Sequence, residues 1–208
     1  MAKSSLDLAK LFGAVTSTMN ENRDSLNASD TYNHDHGDHM VEIFEVITQA
    51  MKEKKTASSA DQLEYASQLL RKKSHSGSAE LYANGLSSAA SQFMGKEITP
   101  DNAVLLINAL MGGSQKAAPK QASGGMLGSL LGSLLGGGGS QQDDGLDMTD
   151  MLQMGMAFMQ SQQEGDSTLE SLADAVLSGS QMSGSQHRTQ SGKLVTNTLM
   201  QMLKSGMK

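Results

Sequence analysis

Between Asp30 and Met40 the chain reads Asp-Thr-Tyr-Asn-His-Asp-His-Gly-Asp-His-Met, and a strongly apolar stretch follows at once. Hard cations such as Mg2+ take oxygen ligands, commonly one or two carboxylates, with water and substrate phosphates completing the shell. Asp30, Asn33, Asp35 and Asp38 are close enough on one turn to supply such oxygens. The turn opens into a helix beginning near Gly37, whose free N–H groups and positive dipole end suit phosphate oxygens. A plainer reading competes, in which the acids only cap that helix and the histidines are solvated. A third gathers His34, His36 and His39 on Zn2+, Ni2+ or Cu2+, although loop spacing alone defines no geometry. A nucleophilic set built from His75, Ser76, Ser78 and His187 can be drawn, but nothing in the spacing demands it.

The elements that must hold this turn all read as helices. Leu8, Leu11, Phe12, Val15 and Met19 recur at helical spacing, and no stretch of strand-like alternation compares with it. After the turn, Met40 to Met51 is apolar but for a narrow stripe of Glu42, Glu45 and Gln49, which predicts a central helix. A third helix carries Leu63, Ala66, Leu69 and Leu70 and ends in Arg71-Lys72-Lys73, basic residues suited to a helix C-terminus. His75 to Ser78 reads as a polar loop, and a fourth helix follows from about Ala79 to Phe93, with small residues that let neighbours approach closely. Thr99-Pro100-Asp101 reads as the start of a fifth helix: hydroxyl cap, proline in the first turn, then an acid.

Composition changes over 112–145, where Gly, Ser and Gln dominate and Gly-Ser-Leu-Leu occurs twice. It reads as a flexible insert; the apolar run from Met126 to Leu135 is far shorter than the ~20 residues a membrane span needs. A Met-rich sixth helix and a seventh opening on the Ser167/Glu170 capping box follow. A polar loop over 180–191 holds His187 and Arg188, and a last helix carries Leu194, Val195, Leu199, Met202 and Leu203. About eight helices with short turns predict an antiparallel all-α bundle in a single domain.

The totals narrow the function. A formal charge of -6 and no basic run longer than three residues argue against nucleic acid, which is held by clustered Lys and Arg. The absence of Cys removes thiolate chemistry and sulfur-ligated metal, and fits a reducing compartment. The first 20 residues carry Lys3, Asp7 and Lys10 through an amphipathic pattern rather than a signal peptide's apolar core, so a cytoplasmic location is expected. Neither a P-loop nor a dinucleotide fingerprint is present.

The wording of the motifs adds a resemblance. Asn33-His34-Asp35-His36-Gly37-Asp38-His39-Met40 resembles the Asp-Gly-Asp-x-Gly-x-Asn-Met signature of DhaL-type domains, the nucleotide-binding domains of dihydroxyacetone kinases and related fatty acid kinases. Gly77-Ser78-Ala79-Glu80-Leu81-Tyr82 is similar to the family's Ser-Gly-x-Leu-Tyr segment, and Gly165-Asp166-Ser167-Thr168-Leu169 to its Gly-Asp-Lys-Thr-Met-Leu, in the same order. The resemblance implies an eight-helix barrel that binds ADP or ATP at one end, with Mg2+ bridging the phosphates to aspartates. It implies phosphoryl transfer to an acceptor carried by a separate substrate-binding subunit. By position, Asn33 and Asp35 fall on the paired aspartates. His36, Gly37 and His39 fall on the phosphate-contacting turn, and Ser78, Thr168 and Leu169 on nucleotide-contacting positions. The chain departs from the pattern in Asn33 itself and in Ala28, where the family has its upstream aspartate. Either Asp30 serves in its place with Asp38 compensating, or the site has lost charge and the domain is a non-catalytic binding module for nucleotide, metal or protein. The family's late Asp-Pro-Gly corresponds at best to Gln190-Ser191-Gly192.

Overall fold

The computed structural model describes residues 5–100, 102–112 and 185–206. These residues form helices α1 (Leu8–Ser29), α2 (His36–Glu53), α3 (Ser59–Lys73), α4 (Gly77–Gln92), α5 (Ala103–Leu110) and α6 (Gln186–Gly206), and none of them lies in a strand. The sixth and seventh sequence-predicted helices and all but Gly112 of the insert lie outside the described residues.

Short connections make the first four helices alternate in direction. At one end, the start of α1, the end of α2 and the start of α3 come together with the α4–α5 link. Leu6 N–H donates to the Ile98 carbonyl (2.8 Å), Lys55 Nζ lies 3.9 Å from Asp7, and Ser59 Oγ donates to Glu97 (2.9 Å). At the other end α1 and α3 stop while α2, α4 and α6 start. The described helices pack in a ring in chain order, with α6 touching both α5 and α1.

Each start is capped by local chemistry. Asp7 and Ser58 accept from the Lys10 and Asp61 amides, each satisfying an orphan donor of the first turn. Ser76 does the same for Ala79 at α4 (3.1 Å), so Gly77 and Ser78 belong to that helix's opening turn and not to a loop as the sequence suggested. Likewise α6 begins at Gln186, which places His187 and Arg188 in a helical first turn rather than a polar loop. The start signal at Thr99-Pro100 is displaced: α5 begins at Ala103. Asn102 folds the approach instead, accepting from the Thr99 amide (2.8 Å) and donating to the Glu97 carbonyl (3.0 Å).

The core joins α1, α2 and α4 through fully buried aromatics. Phe44 stacks with Phe12 (6.5 Å between centroids) and meets Tyr82 edge-on (5.0 Å). Burial pushes the Tyr82 phenol far above its ordinary pKa, so it stays neutral. A polar tie crosses the α1–α2 seam, where Thr16 Oγ1 reaches the Phe44 carbonyl (3.0 Å) and Thr48 Oγ1 (2.9 Å). Glycine sets two close approaches. A Cβ on Gly85 would lie 2.6 Å from the Ala109 carbonyl oxygen of α5, and one on Gly37 would collide with the Arg23 carbonyl of α1.

Candidate functional site

Where α1 ends and α2, α4 and α6 begin, the described residues line an open cavity of about 370 Å³. Its lining falls into two groups. The α1–α2 turn contributes Asp30, Tyr32, Asn33 and Asp35, with His36 and His39 from the start of α2. The rest of the lining is Ser76, Gly77 and Ser78 from the start of α4 and His187 and Arg188 from the start of α6, with His187 against Asp30 and His36. The positive ends of three helix dipoles thus meet the negative end of one, α1, within one cavity.

The carboxylate side is built by the turn. Asp30 caps the end of α1 and is 4% exposed; it accepts from the Tyr32 amide (3.0 Å). That backbone hydrogen bond holds its carboxyl below the usual range, and His187, with Nδ1 3.9 Å from Oδ1, acts in the same direction. Asp35 lies half-buried with Oδ1 3.3 Å from His39 Nδ1, and Asn33 stands exposed on the rim. His34 adopts a left-handed φ of 57°, which folds the chain back so that Asp30 and Asp35 line one space.

His36 sits at the floor, buried, with Nε2 3.0 Å from Ser191 Oγ and its ring 4.6 Å from that of His187. Desolvation lowers its pKa to about 4; the neighbouring His187 and Arg188 push the same way, and Asp30 opposes them. The ring is therefore neutral at pH 7. Since the Ser191 hydroxyl donates to the Arg188 carbonyl (3.1 Å), the neutral imidazole presents its Nε2–H to the Ser191 oxygen.

The anion side depends on α4 and α6. Ser76 Oγ takes the Ala79 amide and the Ser76 carbonyl takes that of Glu80, which leaves the Gly77 and Ser78 amides outside the helical ladder. Arg188 lies over this end: its Nη2 would be 2.9 Å from a Cβ on Gly77, and its Nε is buried without a hydrogen-bond partner.

Among the sequence-predicted residues, Asp30, Asn33, Asp35, His36, His39 and Ser78 are brought together around the cavity. Asp38 is not. It faces α1, with Oδ1 3.6 Å from Arg23 Nε and Oδ2 accepting from Asn27 Nδ2 (3.1 Å). Gly37 has a packing role: its amide donates to Asn27 Oδ1 (2.6 Å), so it does not offer a free N–H to phosphate as the turn suggested. Asn27 also accepts from the Asp38 amide (3.2 Å) and thereby caps α2 from the neighbouring helix, while Asp35, at the N-cap position, makes no side-chain cap. Thr168 and Leu169 lie outside the described residues.

The three imidazoles of the turn part company: His34 leans toward the Asn27 carbonyl (3.4 Å), His36 toward Ser191 and His39 toward Asp35. Among the described residues, no group of three His, Asp or Glu side chains is set to hold a metal ion. The nucleophilic set does not assemble either, since Ser76 is a cap, Ser78 is buried, His75 is exposed and His187 Nε2 meets Ser185 (3.2 Å). Sequence reading gave no role at this end to Asn27 or Arg188, quoted Gly77 only as part of a motif, and offered His187 only for the nucleophilic set. His187 and Arg188 stood in view as the ionisable residues of an otherwise uncharged segment.

Chemically, the cavity pairs two carboxylates and an amide with an arginine and two unladdered backbone amides. That donor set fits a hard cation that arrives on an oxyanion, because one or two carboxylates suffice when phosphates supply the remaining ligands. It does not amount to a self-sufficient metal cage. No family model, curated protein or solved structure matches the chain. Among the described residues, no helix is long and apolar enough to cross a membrane.

Proposed function

We propose that the chain is a Mg2+–nucleotide binding domain of the DhaL type, an eight-helix bundle working in phosphoryl transfer beside a separate acceptor-carrying subunit. The observation that carries this reading is the convergence of three helix N-termini on Asp30 and Asp35 in one cavity. The order of the resembling motifs supports it, since the turn at Asn33–Met40 and the Gly77–Tyr82 segment, far apart in sequence, line the same space. Mg2+ bound there would neutralise phosphate charge. Asp30 and Asp35 would hold it, Asn33 would add an amide oxygen, and the Gly77 and Ser78 amides would orient phosphate oxygens. Phosphoryl transfer depends mainly on such alignment and neutralisation, with little covalent chemistry asked of the protein.

A second reading keeps the binding and drops the catalysis. It is favoured by Asp38, which is engaged with Arg23 and Asn27, and by the neutral amide at Asn33; together they leave two carboxylates at the cavity. Thermal shift with ADP or ATP, each with Mg2+ and with EDTA, tests what the readings share. Stabilisation by nucleotide plus Mg2+ is expected, and no shift in any condition would exclude both. ATP turnover in the presence of the acceptor subunit then separates them.

A further inference from the structure

We propose that Tyr32 is an aromatic platform at the mouth of the cavity, on which the base of a bound nucleotide stacks, so that the site takes a phosphate ligand carrying a planar ring. The inference rests on the nucleotide reading above and goes beyond it, since neither the carboxylates nor the resembling motifs give this residue a part.

Aromatic side chains are scarce in this chain, and the other described ones are engaged in packing. Phe12, Phe44, Phe93 and Tyr82 are buried, and Tyr65 packs against the core with its hydroxyl donating to Glu53 (2.6 Å) and Lys54 over its ring. Tyr32 is the exception: it is 92% exposed, with no ring contact or side-chain hydrogen bond among the described residues. A single apolar side chain on a surface calls for no explanation in itself. Tyr32 differs in its place, because it lines the cavity beside Asp30 and Asn33. Its backbone is fixed there: the amide donates to the buried Asp30 carboxylate (3.0 Å), and the chain turns back at His34. A ring so anchored stands close to the groups that would hold Mg2+, with its faces open to solvent. The rest of the lining offers no such face. It consists of carboxylates, an amide, serines, a glycine, an arginine and three histidines, and those imidazoles are occupied, His36 with Ser191, His187 against His36 and His39 with Asp35. A nucleotide whose phosphates reach the carboxylates through Mg2+ therefore has one free aromatic surface against which to lay its base. Every base has a π-face, so stacking on Tyr32 selects for a ring without fixing which base it is. The ring is already exposed in the unliganded chain, so binding buries apolar surface without breaking existing contacts.

Calorimetric titration of the full chain with ADP and with pyrophosphate, both in Mg2+, isolates the contribution of the base. Tyr32→Ala should weaken ADP about five- to hundredfold, the range of base–aromatic stacking, and leave pyrophosphate as in wild type. Tyr32→Phe should bind ADP as wild type does, since the ring and not the hydroxyl makes the contact. Melting without ligand should be unchanged in both variants, because the turn is held by the Tyr32 amide and not by its side chain. A second readout needs no loss of affinity. The chain has three tyrosines, so their ring signals are few in an NMR spectrum, and the Tyr32 set is identified by its disappearance in Tyr32→Phe. Those signals should move upfield with Mg2+–ADP and stay in place with Mg2+–pyrophosphate. If Tyr32→Ala binds Mg2+–ADP as wild type does, or loses pyrophosphate as much as ADP, the platform is wrong and the nucleotide reading stands. Tyr32 signals that ignore Mg2+–ADP while other resonances respond would overturn the inference whatever the variants do. A wild-type chain that binds no nucleotide in Mg2+ excludes the nucleotide reading, and the platform with it.

Discussion

Asp35 and Asp38 are three residues apart and chemically identical, yet the structure gives them different work. Asp35 lines the cavity, whereas Asp38 is held by Arg23 and Asn27 on the outer side of α2. Asp35→Ala is accordingly expected to abolish stabilisation by Mg2+–ADP, while Asp38→Ala should retain most of it; equal losses would show that both carboxylates face the ligand. His36 adds a pH signature. Its pKa is lowered to about 4 in the folded chain from 6.5, so the unfolded chain binds the extra proton first. The stability this neutral histidine secures is complete above pH 6.5 and is lost as pH falls toward 4, by roughly 3 kcal/mol in all. Denaturant melts at pH 7, 5.5 and 4.5 should show that decline, and His36→Asn should flatten it. An identical acid slope in the variant would place the titration elsewhere.

At the level of elements, the α1–α2 pair sets the geometry of the cavity. Asn27 caps α2 across the seam, and Gly37 lets the two backbones approach until its amide reaches that side chain. Asn27→Ala should cost about 1 to 2 kcal/mol, the scale of a lost helix cap. Gly37→Ala should cost about as much or more, because the added methyl meets the Arg23 carbonyl, a backbone atom that no rotamer change can move. Equilibrium unfolding of the two variants would check this. Should Gly37→Ala prove neutral, the close seam is not required. Helix identity was legible in the chain because apolar residues recur at helical spacing through Leu8 to Met19 and Met40 to Met51. Helix starts were less so. Ser76 and Gln186 begin helices inside stretches whose polar composition reads as loop, since a first turn exposed at a cavity needs no apolar face.

At the scale of the molecule, the described residues set a buried aromatic interior beneath a charged cavity at one end of the bundle. Phe44 contacts Phe12 and Tyr82 in the fully buried interior, joining α1, α2 and α4, with Tyr82 one helical turn from Ser78 of the cavity. Phe44→Ala is expected to destabilise by about 3 to 5 kcal/mol, as deletion of a buried aromatic does. Mg2+–ADP should still raise the melting point of whatever folded fraction remains; loss of the ligand response in a folded Phe44→Ala chain would mean that core and cavity are not separable. The all-helical class of the described residues and the central place of α2 could be read from composition and periodicity, and the local density of acids and imidazoles marked the turn that lines the cavity. Which of those groups share a space could not. Side chains a few residues apart on a turn diverge or converge according to a single left-handed residue, His34, and to partners such as Asn27 and Arg23 on another helix. The pairing of that turn with Gly77 and Arg188 joins segments distant in sequence, and only the packing of α4 and α6 around α1 and α2 brings their positive ends to the same place.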